Sequence, residues 1–237
     1  MSLFQDTLQN GLHKVSYPLT PEALTSMEAF FDFLLEENQK VNLTAITQPE
    51  EAASKHFLDS LAPLWLQLIP QNAAVIDIGA GAGFPSLPLK IARPDIFLTL
   101  LDSARKRTGF LEAAVQKLGL ENCTIMWNRA EDGARLTNFR AQFDIAVARA
   151  VAALPVLLEY TLPFVKVGGL CLLYKGPSAP EEVAASARAL QTLGGKVSQV
   201  YPCGIDGIQH FIVAVQKTLP TPARYPRKSG TPNRSPL

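Results

Sequence analysis

Residues 75 to 84, VIDIGAGAGF, join a run of buried-strand type to a glycine-rich turn, a combination that can seat a ligand against bare backbone. Val75, Ile76 and Ile78 are apolar and β-branched, as suits a strand covered on both faces, and Asp77 interrupts them. Gly79, Gly81 and Gly83 lack the Cβ atoms that would oppose a sharp turn, a positive φ or a close approach. Leu87, Leu89 and Ile91 then mark the buried side of a helix that stops before Pro94. The N–H groups at the start of that helix have no intrahelical partner and would suit a carboxylate, phosphate or hydroxyl. The spacing is GxGxG, with Phe84 where a dinucleotide fingerprint carries its third glycine.

By itself such a turn is equally an ordinary tight turn of an α/β protein. Two acids sharpen it. The run IFLTLLD at 96–102 ends in Asp102, placed to accept hydrogen bonds from both hydroxyls of an adenosine ribose, and CTIMWNRAE at 123–131 ends in Ala130 and Glu131. Polar groups at three strand ends on one sheet edge describe a nucleoside pocket.

The elements that must position these residues follow an alternating strand and helix pattern from about residue 72, which predicts a doubly wound α/β sheet. Further strands are expected at 143–150, 170–176, 196–202 and 210–217, with one helix from Pro180 to about Leu193. The last two strands are joined only by CGIDGIQ, too short for a crossover helix, so they should run antiparallel. Residues 1–70 read instead as a helical extension packed on the main domain, 71–217. Thr20 before Pro21 starts a helix whose apolar stripe is Leu24, Met27, Phe30, Phe31, Leu34 and Leu35. A second helix opens at Pro49 and carries His56 and Asp59, three residues apart, read as a structural hydrogen-bonding pair.

Net charge is +1 with 18% charged residues, so the overall balance selects no nucleic-acid partner and the distribution of charge must decide. Three scattered cysteines without CxxC spacing predict neither a disulfide framework nor a metal site. The N-terminal residues lack a basic segment followed by an apolar one, and no run approaches 18 apolar residues, so the reading is a cytoplasmic monomer without a membrane partner. Residues 218–237 are rich in proline and carry Arg224, Arg227, Lys228 and Arg234 with no acid. Such a segment is expected not to order itself, and reads either as a solubilising tail or as a basic arm for a phosphate backbone with Tyr225 available for stacking. Arg105, Lys106 and Arg107 beyond the second strand would extend that surface.

An acid, a GxGxG turn and a ribose-type acid about two dozen residues on resemble the class I S-adenosylmethionine-dependent methyltransferases. VNLTAIT at 41–47, KHFLDSLAP at 55–63, IDIGAGAGFPSLPLKI at 76–91, LLDSARKRTGFL at 100–111, VARAVAAL at 147–154, YKG at 174–176 and RKSGTPNRSPL at 227–237 are similar to the ribosomal RNA small subunit methyltransferase G family across nearly the whole chain. The resemblance implies a Rossmann-like seven-stranded sheet with an antiparallel last strand, S-adenosyl-L-methionine as cofactor, and methylation of guanine-N7 in 16S ribosomal RNA, bare or in the small subunit. It implies a cofactor site at Gly79, Gly81, Gly83, Phe84, Asp102, Ser103, Ala104, Ala130, Glu131 and Arg149, with Arg149 orienting cofactor or target base, and adds Lys175 to the RNA-facing cations. Ala80 stands where the family often carries a small hydroxyl residue and Ser86 where glycine is common, so one cofactor hydrogen bond is lost and a Cβ must be accommodated. A nicotinamide-dependent oxidoreductase and a noncatalytic RNA-binding assembly protein are the rival readings.

Overall fold

The computed structural model describes residues 2–237. Seven strands form one sheet in the order β3-β2-β1-β4-β5-β7-β6. They are β1 (Ala74–Ile78), β2 (Phe97–Asp102), β3 (Cys123–Trp127), β4 (Phe143–Arg149), β5 (Val165–Lys175), β6 (Gly195–Pro202) and β7 (Phe211–Lys217). β7 runs antiparallel to both β5 and β6, and the other pairings are parallel. The strand order reverses at β1, so β1 and β4 leave a crevice beyond their carboxyl ends where such sheets bind ligands.

One face of the sheet is covered by the N-terminal helices α1 (Leu3–Lys14), α2 (Pro21–Asn38), α3 (Pro49–Ala52) and α4 (Asp59–Trp65) together with α5 (Ser86–Ala92) and α6 (Arg105–Lys117). The first 70 residues therefore share a core with β1 and β2. Thr20 caps α2 as expected, its side chain accepting from the Ala23 N–H, and Leu24, Met27, Phe30, Phe31 and Leu34 are buried. Between α3 and α4 the chain makes a π-helical turn, Ala53–Leu58, a form that concentrates at functional positions. The opposite face packs α7 (Ala130–Gly133), α8 (Leu154–Thr161), α9 (Ala179–Ala185) and α10 (Ala187–Leu193).

Three expectations are corrected. β5 begins at Val165, five residues before the expected start, because Gly168 at φ +93° and Gly169 carry the strand through an irregularity rather than ending it. A Cβ on Gly169 would lie 2.5 Å from the Asp144 carbonyl, so only glycine admits this approach. The helix expected from Pro180 to Leu193 is two helices broken at Ser186, whose hydroxyl donates to Glu182 O in competition with the backbone ladder. The C-terminal residues, expected to lack order, lie folded on the domain: Tyr225 and Pro232 are buried, and a short helix, α11 (Thr231–Arg234), closes the segment. Composition misleads here because the apolar surface and the counter-charges come from the rest of the chain.

Phe57 occupies the centre of the shared core, in edge contact with Phe4, Phe30, Phe31 and Phe84. Phe57→Ala should cost about 3 to 5 kcal/mol, read as a lowered urea midpoint at unchanged slope. A loss below about 1 kcal/mol would show that the N-terminal helices are not integral to the core.

Candidate active site

Asp102 ends β2 and is 3% exposed. Its Oδ2 accepts the Gly81 N–H at 2.9 Å and its Oδ1 accepts the Ala104 N–H at 2.8 Å, so one carboxylate fixes the glycine turn against the turn that follows β2. The N–H groups of Gly79 and Ala80 both donate to Leu101 O, and that of Gly83 to Ala80 O. The expected capture of a ligand by the start of α5 is corrected: Leu87 N–H donates to Gly83 O and Ser86 through Ile91 are buried. The turn meets the crevice through Gly79, whose φ of +76° and missing Cβ allow Val151 to lie over it; a Cβ there would sit 2.8 Å from Val151 Cγ2.

A cleft of about 260 Å³ opens here, lined among others by Gly79, Asp102, Ser103, Ala130, Glu131 and Tyr160. Gly81 and Ala104 serve it indirectly through Asp102, while Gly83 and Phe84 face the core, against Leu87 and Phe30. Arg149 belongs to a second cleft of about 530 Å³, and Ala150 and Val151 line both. Ala150 has φ +56°, a left-handed conformation that aims the segment after β4 between the two clefts.

Arg149 is bound more fully than expected. Its guanidinium donates to Lys55 O at 3.1 Å, to Asp59 Oδ2 at 3.0 Å and toward His56 Nδ1 at 3.2 Å, and lies 5.2 Å from the Phe84 ring centre. A guanidinium only donates, so His56 accepts at Nδ1 and carries its proton on Nε2, which lies 2.8 Å from Thr44 Oγ1. Burial, reinforced by Arg149, pushes the His56 pKa down to about 4 and keeps the ring neutral for this contact. His56 and Asp59 thus meet through Arg149 rather than through each other. The other oxygen of Asp59, a fully buried residue, accepts from His210 Nδ1 at 3.0 Å, and this bond raises the His210 pKa. His210 and the buried Asp59 hub were not singled out as site residues from sequence, since nothing in the spacing of residues 59, 149 and 210 places them together.

Ser86 does more than tolerate a Cβ. Its hydroxyl donates to Asp77 Oδ2 at 2.5 Å, while Asp77 Oδ1 is the one buried side-chain polar atom without a partner among the described residues. Burial pushes the Asp77 carboxyl up to about 7, with the Ser86 hydroxyl partly opposing. The lining acids Asp102 and Glu131 and the bare backbone of Gly79 fit a nucleoside cofactor, while the orphaned oxygen of Asp77 is fully buried two residues before that glycine and lines neither cleft.

Fold and site together define a Rossmann-like S-adenosylmethionine-dependent methyltransferase. A family model described as rRNA small subunit methyltransferase G matches residues 23–212, and the chain belongs to that family. It is 48% identical over 221 residues to a ribosomal RNA small subunit methyltransferase G of Moorella thermoacetica, covering 92% of each chain. To that of Alkaliphilus metalliredigens it is 44% identical over 232 residues, covering 97% of each. In fold it is similar to a SAM-dependent methyltransferase of Aquifex aeolicus, with TM-score 0.54 and 19% identity over 77% of this chain and 98% of that one.

The fold favours protonated Asp77, a contribution complete below the ordinary value of 3.8 and lost as pH rises through about 7. It also favours neutral His56, a contribution present above 6.5 and lost as pH falls through about 4. Asp77→Asn should therefore gain thermal stability relative to the parent as pH rises from 4 to 7; parallel melting profiles across that range would contradict the buried neutral acid.

Proposed function

We infer that this chain transfers a methyl group from S-adenosyl-L-methionine to N7 of a guanine in 16S ribosomal RNA. The observation that carries the reading is the pair of clefts meeting at Ala150 and Val151: the smaller bears the nucleoside-type acids and the larger has room for a base. Asp102 would accept from the ribose hydroxyls, Glu131 and Ala130 would border the adenine, and the glycine turn at Gly79 would meet the methionine end. The cofactor supplies an electrophilic methyl on a sulfonium.

Guanine-N7 presents a free lone pair, so no residue need remove a proton, and neither His56 nor His210 is required as a base. The protein's task is orientation, for which effective molarities of about 10⁵ to 10⁸ M show the scale available. Arg149 is held by Lys55 O, Asp59 and His56, and so serves as a fixed cation in the floor of the base cleft rather than a mobile arm. A rival oxidoreductase would need a third glycine that Phe84 replaces.

The RNA-facing cations divide into two groups. Lys175 donates to Ala152 O at 2.6 Å and Glu182 at 2.7 Å, and Arg227 pairs with buried Glu159, so both are spent internally and leave the set of RNA contacts. Arg105, Lys106 and Arg107 are exposed in the first turn of α6, where the helix dipole disfavours cations; Arg107 approaches Asp102 at 3.8 Å and lines the smaller cleft, so Arg105 and Lys106 are the two left without an internal role. Beside them Trp127 is 59% exposed, with the Arg105 guanidinium 5.2 Å from its ring centre and its indole N–H donating to Ser103 O. An anchored, exposed indole among cations suits an unpaired base of RNA. Both sheet faces are covered by the chain's own helices, which supports action as a monomer, and a ribosomal substrate puts the reaction in the cytoplasm.

Incubation with radiolabelled S-adenosyl-L-methionine and bare 16S RNA, small subunits or ribosomes should place label in RNA as 7-methylguanosine; label confined to protein, or none with any substrate, overturns the reading. Asp102→Ala should weaken cofactor binding by roughly 1.5 to 3 kcal/mol. Trp127→Ala should raise the KM for RNA by about tenfold, the effect of one lost stacking contact of ~1–3 kcal/mol. Unchanged RNA kinetics would remove Trp127 from the interface.

A further inference from the structure

We propose that the C-terminal segment 224–232 braces the wall of the cofactor cleft from behind, and that RNA contacts on its outer surface are energetically coupled to cofactor binding in the cleft. The proposal rests on the reading of the 260 Å³ cleft as the cofactor site.

The segment reaches the cleft at Glu131, which is 4% exposed and accepts the Gly230 N–H on Oε1 at 2.8 Å, leaving Oε2 for a ligand. Gly230 adopts φ +80°, which lets the chain turn there and aim its N–H inward. Three residues earlier, Arg227 binds Glu159 through its backbone N–H at 2.7 Å and through its guanidinium at 2.6 to 3.1 Å. Glu159 is fully buried and precedes Tyr160, another lining residue of the cleft. The segment's carbonyls are held in turn: Arg140 donates to Thr221 O, Pro222 O and Tyr225 O, and Arg135 to Pro226 O.

These are polar contacts between a proline-rich strap and a few fixed charges, so docking of the strap depends on how well each buried carboxylate is satisfied. A ligand held by Glu131 favours the docked strap, because undocking withdraws the amide that orients the carboxylate. Arg224 and Lys228 are exposed on the docked segment and Arg234 just beyond it, so a phosphate backbone bound there favours the same state. Two ligands that each prefer the docked form must strengthen one another by equal factors. The strap is thereby a positioning element for the cofactor as well as a surface for RNA, and Arg227 is its anchor rather than an RNA contact.

Hydrogen exchange of the unaltered protein, with and without S-adenosylhomocysteine, reads strap docking directly: the amides of residues 228–231 should exchange more slowly with the ligand bound. Calorimetry should show Arg227→Ala weakening S-adenosylhomocysteine by about tenfold, within the range typical of coupled sites, with Arg227→Lys intermediate. Added 16S RNA should tighten S-adenosylhomocysteine for the parent, and much less for the combined Arg224→Ala, Lys228→Ala and Arg234→Ala variant. Unchanged exchange at 228–231 together with parental affinity in Arg227→Ala overturns the proposal. Asp102→Ala separates the two levels: if it loses affinity while Arg227→Ala does not, the strap alone fails; if neither loses affinity, the cofactor reading fails with it.

Discussion

One buried carboxylate organises the crevice. Asp102 spends an oxygen on each of two backbone amides, Gly81 across the sheet edge and Ala104 two residues on, and so sets the separation of the two turns between which a nucleoside must fit. Charge-assisted bonds of this kind are about twice as strong as neutral ones, and they are short and directional. Removing the acid therefore loses more than a ligand contact: it frees the glycine turn that Gly79 presents to the cleft. The glycines serve the same constraint, since Gly79, Gly81 and Gly83 all have positive φ and the turn closes on carbonyls of its own neighbourhood.

A second buried carboxylate, Asp59, does the corresponding work for the larger cleft. It ties the end of β4, through Arg149, to the N-terminal helices and to His210 just before β7. At the end of the π-helical turn that precedes it the Asp59 N–H donates to Ser54 O and His56 O, and Lys55 O accepts from the same guanidinium. Here the helical extension acquires a purpose beyond covering the sheet: three separate parts of the chain converge on one residue. Neutral His56 completes the arrangement, since a protonated ring would face Arg149 with like charge.

The strands and the antiparallel end were legible in sequence because apolar runs and a seven-residue connection leave few topologies open. Asp102 was legible because it ends such a run, and Glu131 because it follows one, although it sits in α7, four residues beyond the end of β3. The Asp59 hub was not, for its partners are 90 and 151 residues away and a hydrogen bond leaves no periodic trace. The C-terminal segment misled for a related reason: its composition describes what it can bury by itself, whereas its order comes from Glu159, Glu131, Arg135 and Arg140 elsewhere in the chain. Ser86, conspicuous only as a departure from a family pattern, proved to be the partner of a buried acid.

A crystal structure of the protein with S-adenosyl-L-methionine shows whether the cleft bounded by Gly79, Asp102 and Glu131 holds the cofactor. Both ribose hydroxyls are expected within hydrogen-bond distance of Asp102, the adenine beside Ala130 and Glu131, and the sulfonium methyl directed past Val151 toward Arg149. A cofactor bound away from Asp102, or with its methyl directed away from the cleft that Arg149 lines, would contradict this assignment.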